Sequence, residues 1–199
     1  MQRIVKESMK ENHQVLKLNI GCGPHSLKGF INCDIRNLPE VDRVFDLILP
    51  PYPFDDSSIE HIHSEETLEH LSFLKIPRVL KEFYRILKPE GTIFISVPDC
   101  GAMCRMYINQ EVCTCVPHKA INIKDFKSKE NCPYCGGKAK VNSIRWLMAF
   151  VGAQKHEYDF HRAIFTQESM QDYLEDVGFI DIRFKNNIYK LKVEARKPA

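Results

Sequence analysis

Two sets of residues in this chain could do chemistry. The first is a pair of thiol groups, Cys113-Thr114-Cys115 and Cys132-Pro133-Tyr134-Cys135-Gly136-Gly137. Four thiolates complete a tetrahedral structural zinc site, and the glycines after Cys135 let the backbone turn beneath the sulfurs. Cys113, Cys115, Cys132 and Cys135 are therefore the expected zinc ligands. His118 could stand in for one of the first pair, and Cys100 or Cys104 are further substitutes. With no open coordination position evident, such a zinc is structural. The second set begins at Leu18-Asn19-Ile20-Gly21-Cys22-Gly23-Pro24, an apolar run that stops at a glycine turn. Glycines there let a ligand approach the backbone without interference from a Cβ, at the end of a strand where open α/β sheets bind ligands. Asp34 ends the next apolar run and can accept hydrogen bonds from both ribose hydroxyls of a nucleoside. Asp46 with Leu47 offers an adenine edge one polar and one apolar contact.

These residues need a scaffold, and the hydrophobic pattern supplies one. Val15–Ile20, Phe30–Ile35, Val41–Leu49, Ile59–His63 and Thr92–Val97 read as strands. Val79, Leu80, Phe83, Ile86 and Leu87 share one helical face, ended by Lys88-Pro89-Glu90-Gly91. Met170, Tyr173, Leu174 and Val177 mark a second helix, capped by Thr166 and stopped by Gly178. Phe179–Phe184 and Tyr189–Ala195 form a last pair of strands around a reversal at Lys185–Ile188. Strands alternating with helices call for a mainly parallel sheet covered on both faces, here with an antiparallel hairpin at its C-terminal edge. Only ten residues separate Gly23 from Asp34, too few for a helix of ordinary length, so the first crossover must be shortened.

Length and composition bound the rest. A chain of 199 residues with 44% hydrophobic content builds one substantial core, so a single domain over 1–199 is expected. Residues 100–142 break the periodicity and read as a cysteine-rich, zinc-binding insertion within it. That stretch is moderately basic: from Cys100 to Arg145 eight basic residues face three acids, against +2 for the whole chain. No apolar stretch reaches the roughly 20 residues needed to span a bilayer, and the polar N-terminus lacks a signal-peptide pattern, so a soluble, cytoplasmic protein is expected. Eight cysteines in such a compartment favour metal binding or buried thiols over disulfides. Cys22 and Cys33 read as small core residues.

The glycine turn, FINCDI, the LPPYPFDDSSIEHIHSEETLEHL segment and VLKEFYRILKPEGTIFISVPD together resemble class I methyltransferases of the methyltransferase-11 type. The resemblance covers Val15–Pro98 and resumes near His156. It implies a Rossmann-like α/β fold with a seven-stranded sheet, and S-adenosylmethionine as methyl donor. It places Gly21 and Gly23 at the methionine portion, Asp34 on the ribose, Asp46 and Leu47 at the adenine, and Ser64, Glu65 and Glu66 facing the pocket. Two positions depart from the family pattern: Asn19 stands where an acid is usual, and His25 where a third glycine is usual. Related methyltransferases often carry a histidine-containing segment before the last helix, matched here by His156-Glu157-Tyr158-Asp159-Phe160-His161-Arg162. His161 is then the candidate general base, with Asp159 or His156 as helper or substrate contact, since an imidazole titrates near neutral pH. Glu69 and His70 are expected to serve structure.

The leading expectation is a small-molecule or glycan-type acceptor, from the same resemblance. A second has RNA or protein as acceptor, recognised by the basic insertion. A third is a Rossmann-like binding module without catalysis, favoured by Asn19 and His25. A dehydrogenase is disfavoured by the incomplete dinucleotide pattern and the lack of a substrate domain.

Overall fold

In the computed structural model, residues 16–109, 112–113, 141–187 and 190–199 are described. Seven strands form the main sheet: β1 (Lys17–Ile20), β2 (Ile31–Asp34), β3 (Arg43–Val44), β4 (Ile59–Glu65), β5 (Leu87–Pro98), β8 (Ile180–Asn187) and β9 (Lys190–Arg196). Their order is β3-β2-β1-β4-β5-β9-β8. β1 to β5 run parallel, and β9 enters antiparallel between β5 and β8. The sheet is thus mainly parallel with an antiparallel C-terminal hairpin at its edge, as the pattern implied. β6 (Val112–Cys113) and β7 (Val141–Asn142) pair separately.

Register explains the burial. Leu18, Ile62, Ile93 and Ala195 stand side by side across four strands, as do Ile20, Ser64, Ile95 and Val193. All eight are buried. This face receives α1 (Ile76–Ile86) through Ile76, Val79, Leu80, Phe83 and Ile86, and α4 (Gln167–Val177) through Met170 and Leu174. Each large apolar side chain so enclosed contributes about 1.5–3 kcal/mol.

Among the described residues, the opposite face lacks the helical cover that was expected on both faces. His61, His63, Thr92, Phe94, Glu194 and Arg196 line an open groove there of about 490 Å³. The cause is crossover length. The connections β1–β2 and β2–β3, whose right-handed crossovers pass over this face, contain no helix, whereas β3–β4 returns over the other face, where Tyr52 meets Phe83 of α1. Aromatic contacts partly compensate: His63 stacks on Phe94 at 4.7 Å, and Phe30 meets His61 and His63 edge-on.

Other boundaries shift. The third strand is two residues long, because the chain leaves the sheet at Phe45 to carry Asp46 into a turn. Leu87 opens β5 instead of closing α1, and Lys88-Pro89-Glu90-Gly91 lies within that strand. Residues 100–108 are not irregular: they form α2 (Cys100–Ile108), whose first turn is capped by Asp99 accepting from the Ala102 N–H at 2.9 Å. α3 (Ser143–Val151) follows the paired β6 and β7.

α4 begins and ends where the sequence indicates. Thr166 and Ser169 exchange hydrogen bonds with each other's backbone, and Gly178 ends the helix at φ 103°. A side chain at that φ is strained, so Gly178→Ala should lower stability by about 1–2 kcal/mol in urea unfolding. An unchanged midpoint would contradict the cap assignment.

Candidate functional site

The carboxyl ends of β1, β2 and β4 and the loop after β3 surround a cavity of about 850 Å³. Its wall includes Asn19, Gly21, Gly23, Asp34, Asp46, Leu47, Glu65 and Glu66, with His156, Tyr158 and Asp159 on another side. Seven of the sequence-derived site residues, from the glycine turn to Glu65, and two of the three from the histidine segment are thereby assembled around one space, with Ser64 and His161 treated below.

The glycine turn is shaped by its neighbours. Gly21 and Gly23 have φ of 69° and 52°, in the left-handed region. A Cβ on Gly21 would lie 2.2 Å from Oγ1 of Thr67, and one on Gly23 would lie 2.9 Å from Arg36 Nη2. Asn19, where the family pattern has an acid, holds the short crossover: its Nδ2 donates to the His25 carbonyl at 3.1 Å and to Asn32 Oδ1 at 2.9 Å. Asn32 Oδ1 also accepts from Leu27 N at 2.7 Å, and Asp42 Oδ2 accepts from Asn32 N at 2.8 Å. Asn32 is the partner that sequence reading missed; a polar residue flanked by Ile31 and Cys33 inside a short buried strand was its signal. Burial pushes the Cys22 thiol up to about 11 and the Cys33 thiol up to about 12, so neither is a nucleophile at neutral pH.

Asp34 is buried at the end of β2. Its Oδ2 accepts from the Gly23 N–H at 2.8 Å, and its Oδ1 from the Arg36 N–H and Nε at 2.9 and 3.0 Å. Burial alone would raise its pKa, but the hydrogen bonds from Arg36 and Gly23 outweigh that and hold the carboxyl below its ordinary value. Arg36 continues to His156, with Nη1 3.2 Å from Nε2. Asp46 closes its own turn by accepting from Ile48 N at 3.0 Å, and the Leu47 carbonyl accepts from the Tyr52 hydroxyl at 2.8 Å. Glu65 pairs with Lys190 at 3.4 Å across the strand ends.

Ser64 does not reach the cavity wall; its side chain is buried on the helix-covered face of β4, between Ile20 and Ile95 in register. Asp159 Oδ2 accepts from Lys155 N at 3.1 Å and so closes the turn that follows Gly152. Gly152 is needed there, because a Cβ would lie 1.9 Å from the Asp159 carbonyl oxygen. His161 stands behind the wall. It packs edge-on against the wall residue His70, with centroids 4.9 Å apart, and its Nδ1 is 3.0 Å from the Ala149 carbonyl. Burial lowers the pKa of both imidazoles.

Glu69 and His70 form a short 3-10 turn over Leu68–His70, directly after β4. The Glu69 carbonyl accepts from the N–H groups of Arg162 and Ala163 at 2.7 and 3.1 Å, which ties this turn to the histidine segment. The Glu69 side chain is fully enclosed, and burial, reinforced by nearby Glu66, raises its pKa well above the usual carboxylate value.

Of the proposed zinc ligands, Cys115, Cys132 and Cys135 lie outside the described residues, and Cys113 is placed in β6 by its backbone pairing with Asn142. Among the described residues, no helix is long and apolar enough to cross a membrane.

Comparison with known proteins agrees with the architecture. The methyltransferase-11 family model, described as a methyltransferase domain, matches residues 49–95, which run from the loop before β4 through α1 into β5. No curated protein matches the sequence. Among solved structures, a SAM-dependent methyltransferase from Methanosarcina mazei superposes with a TM-score of 0.56 at 17% identity, covering 94% of this chain and 93% of that one. A possible exported protein from Bordetella parapertussis gives 0.56 at 15% identity, with 94% and 62% covered. Phosphoethanolamine N-methyltransferase 2 of Haemonchus contortus, in complex with S-adenosyl-L-methionine, gives 0.51 at 12% identity, with 93% and 49% covered. The chain therefore spans less than two thirds of the last two proteins. The shared feature is the fold, an α/β sheet of the class I methyltransferase type.

Proposed function

We propose that this chain, which has the class I methyltransferase fold, transfers the methyl group of S-adenosylmethionine to a small-molecule or glycan-type acceptor. One observation carries the reading: Gly21, Gly23, Asp34, Asp46 and Leu47 converge on a single cavity at the strand ends, with the two glycines in a left-handed turn that brings bare backbone to the cavity wall. The cavity volume of about 850 Å³ falls in the range of small-ligand sites, roughly 300–1,000 Å³.

S-Adenosylmethionine supplies a methyl group on a positive sulfur, transferred in line with loss of that charge. In this reading Asp34 receives the ribose hydroxyls, Asp46 and Leu47 the adenine, and the glycine turn the methionine portion. The acceptor side is formed by His70, His156, Tyr158 and Arg162, with Lys190 opposite. His161 stands behind His70, and not as a wall residue, so the candidate for direct proton removal is His156. Transfer of tritium from labelled S-adenosylmethionine, followed across small hydroxylated, glycan, protein and RNA acceptors, tests the reading. Label in the small or glycan class is expected; label in RNA alone would replace that acceptor class.

The reading also includes a structural zinc held by Cys113, Cys115, Cys132 and Cys135, supported by the paired spacing of those cysteines. Mercurial modification of the thiols should release about one equivalent of zinc to a metallochromic dye. Cys132→Ser should abolish that release, and unchanged release from the variant would contradict the ligand set.

A further inference from the structure

Glu69 is 1% exposed, and neither of its carboxyl oxygens has a hydrogen-bond partner among the described residues. A buried carboxyl left unmatched is costly, so what completes it is a question about function. Its neighbours give an answer. Glu69, His70 and His161 each bring one potential ligand atom to within 4.8 Å of the others.

The two imidazoles are set up in the same way. His70 Nδ1 lies 3.2 Å from the Phe160 carbonyl oxygen, and His161 Nδ1 lies 3.0 Å from the Ala149 carbonyl oxygen. A carbonyl only accepts, so Nδ1 carries the hydrogen in both rings and Nε2 keeps the free electron pair. Backbone carbonyls that fix the tautomer and orientation of a histidine are the usual outer partners of metal-bound imidazoles. The scaffold is braced from both sides: the 3-10 turn carries Glu69 and His70, and the Glu69 carbonyl grips Arg162 and Ala163 beside His161.

We propose that Glu69, His70 and His161 bind a divalent first-row transition-metal ion beside the cavity. Two imidazoles and one carboxylate suit such an ion and leave coordination positions for water or an acceptor oxygen. His70 belongs to the cavity wall, so the ion adjoins the acceptor side. A cation here also satisfies the Glu69 carboxylate and reverses the effect of its burial. Glu66 lies close by, held by Lys190 at 3.5 Å, and adds negative charge to the surroundings. Its ligands are none of the cysteines, and the site does not depend on S-adenosylmethionine binding.

The test is titration of the full-length, metal-stripped protein with Co²⁺, followed by proton NMR. Cobalt bound through Nε2 shifts the Nδ1–H protons of both rings far downfield, and their hydrogen bonds to carbonyls slow their exchange. Cobalt bound to thiolates instead shifts non-exchangeable cysteine methylene protons, so the two sites are read separately. Two saturable, exchangeable resonances are expected. Glu69→Gln, which preserves volume, should weaken the Co²⁺ affinity read from them by about 10- to 100-fold, and His161→Ala should remove at least one. A folded wild-type protein without such resonances would overturn the site, as would equal affinity in Glu69→Gln. In either case Glu69 would be a protonated acid instead.

Discussion

Asp34→Ala should weaken S-adenosylmethionine binding by about 10- to 100-fold, the loss expected when a charged acceptor of two hydrogen bonds is removed, about 1.5–3 kcal/mol. Asp34 does two things at once. It presents a carboxylate, held ionised by Arg36, at the cavity wall, and it fixes the glycine turn through the Gly23 N–H at 2.8 Å. Asp34→Asn separates these roles, because the amide oxygen can still accept from Gly23 while the charge is lost. The asparagine variant should therefore fall between wild type and alanine. Calorimetry on all three proteins measures the series, with thermal unfolding to show that each is folded. Wild-type affinity in Asp34→Ala would remove Asp34 from the ribose site.

Gly21→Ala should be the most damaging single substitution in the cavity. Its φ of 69° costs a non-glycine residue about 1–2 kcal/mol. The new methyl would also lie 2.2 Å from Thr67 Oγ1 and 2.3 Å from Thr67 Cγ2, an overlap that forces a shift worth about 1–3 kcal/mol more. Together these should lower the unfolding midpoint by roughly 5–15 °C, at about 2–4 °C per kcal/mol for a chain of this size. Thr67 is buried and its hydroxyl donates to the Ile20 carbonyl at 3.2 Å, so it cannot simply swing away. Thr67→Gly should recover part of the loss, and a double-mutant cycle on the melting temperatures reads the coupling. Strict additivity of the two substitutions would show that Thr67 is not what Gly21 accommodates.

Much of the framework was legible because local signals and global packing agreed. Thr166 and Gly178 bound α4 by chemistry confined to a few residues, and the alternation in β9 matches its buried and half-buried faces. The cofactor side was legible for a similar reason, since Gly21, Gly23 and Asp34 act within one strand end of each other. The helix-free crossovers were only half visible. Spacing predicted the first, but the run Val41–Leu49 looked strand-like while Tyr52, Phe45 and Phe54 were packing together as a loop core. α2 was masked by its cysteines and glycine, which carry weak helical preference; its Asp99 cap was the overlooked signal.

The acceptor side was harder because its geometry depends on distant segments. Glu69 and His161 are brought together only when the backbone of residues 162–163 docks on the 68–70 turn, helped by the isolated bridge between Asp99 and Phe165. Nothing in the local pattern of either segment records that docking. A glutamate between buried Leu68 and half-buried Leu71 was the available sign, and it reads equally as a helix-surface residue until burial is known.

Calorimetric titration of the full-length wild-type protein with S-adenosylmethionine, and in parallel with S-adenosylhomocysteine, tests the central claim most directly. The cavity geometry predicts one site per chain with micromolar affinity for both, and reduced affinity in Asp34→Ala. Absence of binding to protein shown to be folded by its thermal transition would contradict the cofactor assignment and leave a methyltransferase-like fold that serves binding without methyl transfer.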